Sequence, residues 1–229
     1  MKLPSKVRAI VFDVDGTLYD QRRLHVFMLR ALFSEFLRNP IKGRRSVRFL
    51  RAYRKAQEGL RAESEALDLS SRQLAIACRN TGLETLEASQ ILERLFHAAP
   101  LAHLHRFVRS GILEFLLESR RRGVRLGVFS DYPAEAKLRA MSLIDHFDAI
   151  VSAADRDVGR LKPHPAGLER CLARLQVNPE NAVYVGDRIG IDAECARRAG
   201  VCPIIVESHT TSDSCVMVNG FEDLRAMLF

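Results

Sequence analysis

Asp13 and Asp15 stand one residue apart where an apolar run, Ala9-Ile10-Val11-Phe12, gives way to Gly16 and Thr17. Carboxylates this close resist joint ionisation unless a cation lies between them. A hard divalent ion such as Mg2+ takes oxygen ligands of this kind. Acids beside a glycine also suit an ordinary solvated turn, so the pair alone decides nothing. Three runs downstream change that: Phe129-Ser130-Asp131, Lys162-Pro163, and Gly186-Asp187 with Asp192 five residues on. The carboxylates can hold a metal, while the Ser130 hydroxyl, its neighbouring amides and the Lys162 ammonium can hold the oxygens of an anion. Lysine is a common point-charge partner of phosphate. Such a set suits phosphoryl transfer, in which catalysis is mainly positioning and charge neutralisation.

These groups can act together only if the fold gathers them. Strands are expected at about Val7–Asp13, Val124–Phe129, Ala149–Ser152, Ala182–Val185 and Ile204–Glu207, with helices at Ile112–Arg122, Pro133–Met141, Ala166–Leu175, Asp192–Ala199 and from Phe221. Strands alternating with helices imply an α/β protein, a Rossmann-like doubly wound parallel sheet with helices on both faces. The polar groups then all follow the carboxyl ends of strands, the edge where such sheets bind ligands.

Some ninety residues of helical pattern interrupt this alternation after the first strand. Leu24, Phe27, Met28, Ala31, Leu32 and Phe36 recur at three- and four-residue steps, the mark of an amphipathic helix. Asn39-Pro40 and Gly43 should break it. Further helices are expected over Arg45–Glu65, from Ser70 (with Gln73 at capping-box spacing) to Thr81-Gly82, and over Glu84–His97, stopping before Pro100. The chain thus divides into a core, residues 1–19 and 106–229, and a helical insert, 20–105.

At 229 residues there is room for this arrangement, and no stretch reaches the roughly 18 apolar residues of a membrane span. Met1–Lys6 leads almost directly into the first strand, so no signal peptide is expected. The five cysteines are odd in number and widely spaced, as expected of reduced thiols in a cytoplasmic protein. Of the net charge of +7, the insert holds +6. Basic excess attracts anions: phosphorylated metabolites, acidic partners, nucleic acid or lipid.

With motif one Asp13-Val14-Asp15-Gly16-Thr17-Leu18, motif two Phe129-Ser130-Asp131, motif three Lys162-Pro163 and motif four Gly186-Asp187 plus Asp192, the chain resembles the haloacid dehalogenase-like hydrolases. It resembles in particular their branch with a helical cap inserted after the first strand, which includes phosphoglycolate phosphatases and β-phosphoglucomutases. The resemblance implies that Asp13 attacks phosphorus and becomes an aspartyl phosphate, with Asp15 as general acid and then base. It implies Mg2+ bound by Asp13, Asp187 and the Asp15 carbonyl with support from Asp192, and phosphate gripped by Ser130, Lys162 and the Gly16-Thr17 turn. Dehalogenases of the family lack an acid at the position of Asp15, so phosphoester chemistry is expected. The substrate would be a small phosphorylated metabolite, with no nucleic acid as partner. A phosphomutase, or a binding protein that has lost turnover, is the alternative.

Some residues keep more than one reading. Asp131 stands where this branch more often has Asn; it either caps the helix opening at Pro133 or contacts substrate at the phosphate site. His97, His103 and His105 could chelate a metal or pack at the hinge of the insert. The run Lys42–Lys55, with seven bases and no acid, is a solvated helix face, a lure for an anionic substrate, or a basic helix resting on an anionic membrane.

Overall fold

β1 (Ala9–Phe12) shows why the sheet forms: its side chains alternate between two apolar layers, and all four residues are buried. Ile10 and Phe12 face one side, Ala9 and Val11 the other. A strand covered on both faces is the mark of a parallel sheet in an α/β protein. The computed structural model describes residues 3–61, 68–206 and 215–229, and within them β1 is joined by β2 (Arg125–Ser130), β3 (Ala149–Ser152), β4 (Ala182–Gly186), β5 (Cys202–Val206) and β6 (Val216–Val218). All pairings are parallel, in the order β3-β2-β1-β4-β5-β6.

Helices α6 (Ile112–Arg121), α7 (Glu135–Ala140) and α10 (Phe221–Leu228) cover the Ile10/Phe12 face, where Phe12, Phe115 and Phe221 meet in one aromatic cluster. Helices α8 (Ala166–Leu175) and α9 (Glu194–Arg198) cover the other through Leu168, Cys171, Leu172, Leu175 and Ala196. The expected core elements are present within a few residues. β6 is the exception: three residues at the sheet edge give too little alternation to read. Glu207, expected to end β5, lies outside the described residues.

Between β1 and β2 lie α1 (Gln21–Arg38), α2 (Pro40–Leu60), α3 (Leu69–Thr81), α4 (Thr85–Ile91) and α5 (Ala99–Leu101), a helical cap on the sheet domain. Here the local signals need correction. Asn39 and Pro40 do separate two helices, but α2 starts at once: Pro40 opens it and the Asn39 side chain accepts from the Lys42 amide at 3.1 Å. Gly43 breaks nothing. It lies inside α2, where a Cβ would stand 2.8 Å from the Phe36 ring, so glycine lets the two helices close on each other. The expected end at Glu65 falls outside the described residues.

Asp68, not Ser70, caps α3, accepting from Ser71 N at 3.2 Å. Gln73 is buried instead and donates to the Tyr53 carbonyl at 2.9 Å. Nor does the helix that opens at Thr85 stop before Pro100: a π-helical stretch, Leu92–Ala98, carries the helical backbone on into α5. Phe49, Tyr53, Ala77, Leu83, Ala88 and Ile91 give the cap its own apolar centre. Its two links to the core run side by side. Tyr19 bridges Val108, Asp20 N donates to Phe107 O (2.8 Å) and Arg109 N to Leu18 O (3.1 Å).

Candidate active site

In the observed strand order the chain reverses direction between β1 and β4, and such a switch point leaves a crevice outside the carboxyl ends of the strands. Asp13 follows β1 and Asp187 follows β4, one on each side of it. Phe12 pairs in register with both Val128 and Val185, and Asp13 N donates to Val185 O at 2.9 Å. The register therefore brings Asp13 level with the ends of both neighbouring strands.

Carboxylate oxygens of Asp13, Asp187 and Asp192 lie within 4.8 Å of one another, the one such cluster of acids, histidines or cysteines among the described residues. Lys162, almost wholly buried, reaches into it from the loop before α8. Its Nζ donates to Asp13 Oδ1 (2.5 Å), Asp192 Oδ1 (2.7 Å) and the Tyr184 hydroxyl (3.2 Å). Thr17 Oγ1 donates to the other Asp13 oxygen at 3.2 Å. Asp192 also holds the turn after β4, accepting from the amides of Asp187 (3.3 Å) and Arg188 (3.0 Å). A π-helical turn, Ile189–Ala193, brings it there, a device common at functional sites.

The charge balance follows from this geometry. Burial pushes the Asp13 carboxyl up to about 7, against the pull of Lys162 and with the help of Asp192 and Asp15. Burial, then Asp13 and Asp192, push Asp187 up to about 8. On Asp192 burial acts upward too, but Lys162 outweighs it and holds the carboxyl below its usual range. Burial alone would lower Lys162; Asp13 and Asp192 hold it well above its ordinary value. One ammonium thus stands among three carboxylates.

A divalent cation fits the remainder. Asp187 Oδ1 is buried with no hydrogen-bond partner, which is costly for a carboxylate oxygen unless something binds it. Gly16, at φ +97°, closes over the same side chain: a Cβ there would stand 2.8 Å from Asp187 Cγ and nearer still to Oδ2. All the donors are hard oxygens, as Mg2+ requires.

Asp15 points elsewhere. Both of its oxygens take hydrogen bonds from Lys137 Nζ at 2.6 Å, and the Tyr19 hydroxyl donates to Oδ1. Burial would raise this carboxyl, but Lys137 outweighs it and holds Asp15 below the usual range. The guanidinium of Arg109 grips the Gly16 carbonyl (2.7 and 3.2 Å) and so braces the turn that carries both acids. Ser130, buried, ends β2 on the same sheet edge, its Oγ accepting from Tyr132 N at 3.3 Å.

Asp131 does not cap α7, which starts at Glu135 behind Ala134 and has no side-chain cap. Its oxygens are engaged by the Lys162 amide (3.0 Å) and by Arg61 Nη1 (2.7 Å). Arg61, just beyond α2, also donates to the Lys162 carbonyl at 2.6 Å. A cap side chain thus neutralises the extra acid and ties the cap to the loop that presents Lys162. The hinge histidines pack against rings, His103 on Phe27 (4.8 Å) and His97 on Phe96 (5.4 Å).

Lys137, Tyr19, Arg61 and Arg109 are the site residues that sequence reasoning missed. No spacing rule joins Lys137 to an acid 122 positions away. Tyr19, four residues after Asp15, was within reach of inspection as a polar-tipped aromatic beside the motif.

Comparison with known proteins agrees with this geometry. The model of the haloacid dehalogenase-like hydrolases matches residues 7–200. A glyceraldehyde 3-phosphate phosphatase of Methanopyrus kandleri is 28% identical over 213 residues, 90% of this chain and 87% of that protein. A phosphoglycolate phosphatase of Nitrosospira multiformis is 28% identical over 205 residues, 87% of this chain and 83% of that one. Among solved structures, a HAD phosphatase from Thermococcus onnurineus shares the fold with a TM-score of 0.68 at 23% identity, covering 97% of this chain and 98% of that one. A match that runs from the strand before Asp13 to the helix after Asp192 makes this chain a member of the haloacid dehalogenase-like hydrolase family.

Proposed function

We propose that the chain is a Mg2+-dependent phosphatase that cleaves a small phosphorylated metabolite through an aspartyl phosphate on Asp13. The observation that carries the reading is the buried cluster of Asp13, Asp187 and Asp192 with the Lys162 ammonium inside it. Relatives named phosphoglycolate phosphatase and glyceraldehyde 3-phosphate phosphatase support a small phosphomonoester as substrate.

In this reading an Asp13 oxygen forms a bond to phosphorus as the bond to the leaving alcohol breaks. Asp15, once it has left Lys137 and taken up a proton from solvent, delivers that proton to the alcohol, then takes one from the water that attacks the phosphoryl group and frees Asp13. Lys137 and Tyr19 hold the Asp15 carboxyl in place, and Thr17 and Lys162 orient the attacking carboxylate. Lys162, Ser130 and the amides around Gly16 and Thr17 receive the phosphoryl oxygens. Asp13, Asp187 and the Asp15 carbonyl would hold Mg2+, with Asp192 in support; when bound, it neutralises charge and templates the phosphoryl group.

Residues 20–105 form the cap in this proposal and 1–19 with 106–229 the catalytic core, because backbone pairing joins the two links at 18–20 and 107–109. The cap closes over the substrate and excludes water, as active-site lids do. The cytoplasm is the proposed compartment, consistent with five free cysteines. The test is turnover of p-nitrophenyl phosphate in Mg2+ by Asp13→Asn, whose amide cannot form a phosphoenzyme. Hydrolysis should vanish; undiminished turnover would exclude the covalent route.

A further inference from the structure

The cap has a face that the chemistry above does not use. Val26, Leu29, Phe33 and Leu37 recur along α1 at steps of three and four residues, and Ile41 follows on the first turn of α2. All five are between 51% and 76% exposed. On α1 the buried residues Leu24 and Met28 occupy the opposite face, so this stripe is a second apolar surface with no core beneath it. Single exposed apolar residues are ordinary, whereas a continuous row marks an interaction site.

Beside the row, Phe36, Arg44, Val47, Arg48 and Arg51 line an open pocket of about 310 Å3. Arg44, Arg48, Arg51 and Lys55 follow steps of four, three and four, which puts them on one side of α2. Among the described residues no carboxylate pairs with Arg44, Arg48 or Arg51, whereas Arg45 pairs with Glu87. From Gln21 to Leu60 the chain has 11 Lys and Arg against two acids.

A partner must therefore be apolar and anionic at once. A second copy of this chain, docked face to face, would set the three arginines against themselves. A nucleic acid would leave the Phe33 row against phosphate and water. An anionic bilayer offers acyl chains to the row and phosphates to the pocket. We propose that the α1–α2 face rests on an anionic lipid surface, with Val26, Leu29, Phe33, Leu37 and Ile41 entering the acyl boundary and Arg44, Arg48 and Arg51 holding lipid phosphate. This is peripheral contact: no helix among the described residues is long and apolar enough to cross a membrane. Arg44 lies 17 residues before Arg61, about 25 Å along the helix, so the far end of the arginine row stands away from the Arg61 contact at the cleft.

The test is co-sedimentation of the full chain with phosphatidylcholine vesicles, with and without phosphatidylglycerol. Retention should require phosphatidylglycerol and weaken with salt. Arg44→Gln/Arg48→Gln/Arg51→Gln should lower the partition coefficient about a hundredfold, at the ordinary strength of three basic residues near such a surface. Phe33→Ser/Leu37→Ser should also release the protein. Both variants should hydrolyse p-nitrophenyl phosphate in free solution at the unaltered rate, which shows that they fold. Failure of the unaltered protein to bind, or equal binding by the arginine variant, would overturn the proposal. So would sedimentation equilibrium revealing a dimer that Phe33→Ser/Leu37→Ser splits while vesicles are ignored, which would assign the face to a second copy.

Discussion

Replacing Gly16 by alanine tests whether the turn after β1 is shaped around the Asp187 carboxylate. Two costs are separable in that change. The first is backbone: at φ +97° an L side chain costs about 1–2 kcal/mol. The second is local contact. The new Cβ would lie 2.8 Å from Asp187 Cγ, so the carboxylate must retreat by roughly 1 Å to reach ordinary van der Waals separation. A misplacement of about 1 Å in a catalytic array costs about a hundredfold, or about 2.7 kcal/mol in the barrier.

Gly123→Ala isolates the first cost, because Gly123 has φ +73° and nothing within 4 Å of the added carbon. Both variants should lose stability in urea, Gly16→Ala by at least as much as Gly123→Ala. Only Gly16→Ala should lose about two orders of magnitude in kcat/KM for p-nitrophenyl phosphate and need more Mg2+ for half-maximal rate. Full activity with an unchanged Mg2+ requirement in Gly16→Ala would refute the reasoning. Equal activity losses in the two variants would refute it as well.

Two further outcomes follow from the pairs around the cleft. The side chains of Arg61 and Asp131 are 9% and 8% exposed, and removing one partner of a buried pair leaves an uncompensated charge. Asp131→Ala should cost about 3 kcal/mol in urea denaturation, the low end of the range because Glu58 still faces Arg61 at 2.9 Å. A loss below about 1 kcal/mol would show the pair to behave like a surface one. Lys137→Met removes the cation that holds Asp15 below the usual carboxyl range; with it gone the Asp15 pKa rises, so the limb of the kcat/KM–pH profile set by Asp15 moves to higher pH. Lys137→Arg should restore the limb, and a profile indifferent to both would dismiss Lys137 as the positioning residue.

What the sequence made legible is local. Asp13, Asp15 and Asp187 stood out because each follows the end of an apolar strand, and the parallel order of those strands then dictates where they meet. Asp192 was legible only through the family resemblance; in the fold a π-helical turn returns its carboxylate to the amides of Asp187 and Arg188. Lys137 and Arg61 were silent because their partners, Asp15 and Asp131, are chosen by packing between elements far apart in the chain. Gln73 and Gly43 misled in the opposite sense. Each matched a local rule, a capping box and a helix breaker, and in each tertiary contact won: Gln73 binds the Tyr53 carbonyl and Gly43 makes room for Phe36. Asp131 shows both effects, since a plausible cap position was overridden by a guanidinium from the insert.

The paired links at 18–20 and 107–109 give the cap a single axle in place of two independent tethers. A rotation about this axle leaves the six-stranded sheet untouched, since neither link belongs to it. Tyr19 is part of the axle, bridging Val108 through its backbone while its hydroxyl holds Asp15. Under the proposed function, a swing of the cap would turn the residue that holds Asp15 and so couple lid travel to proton delivery.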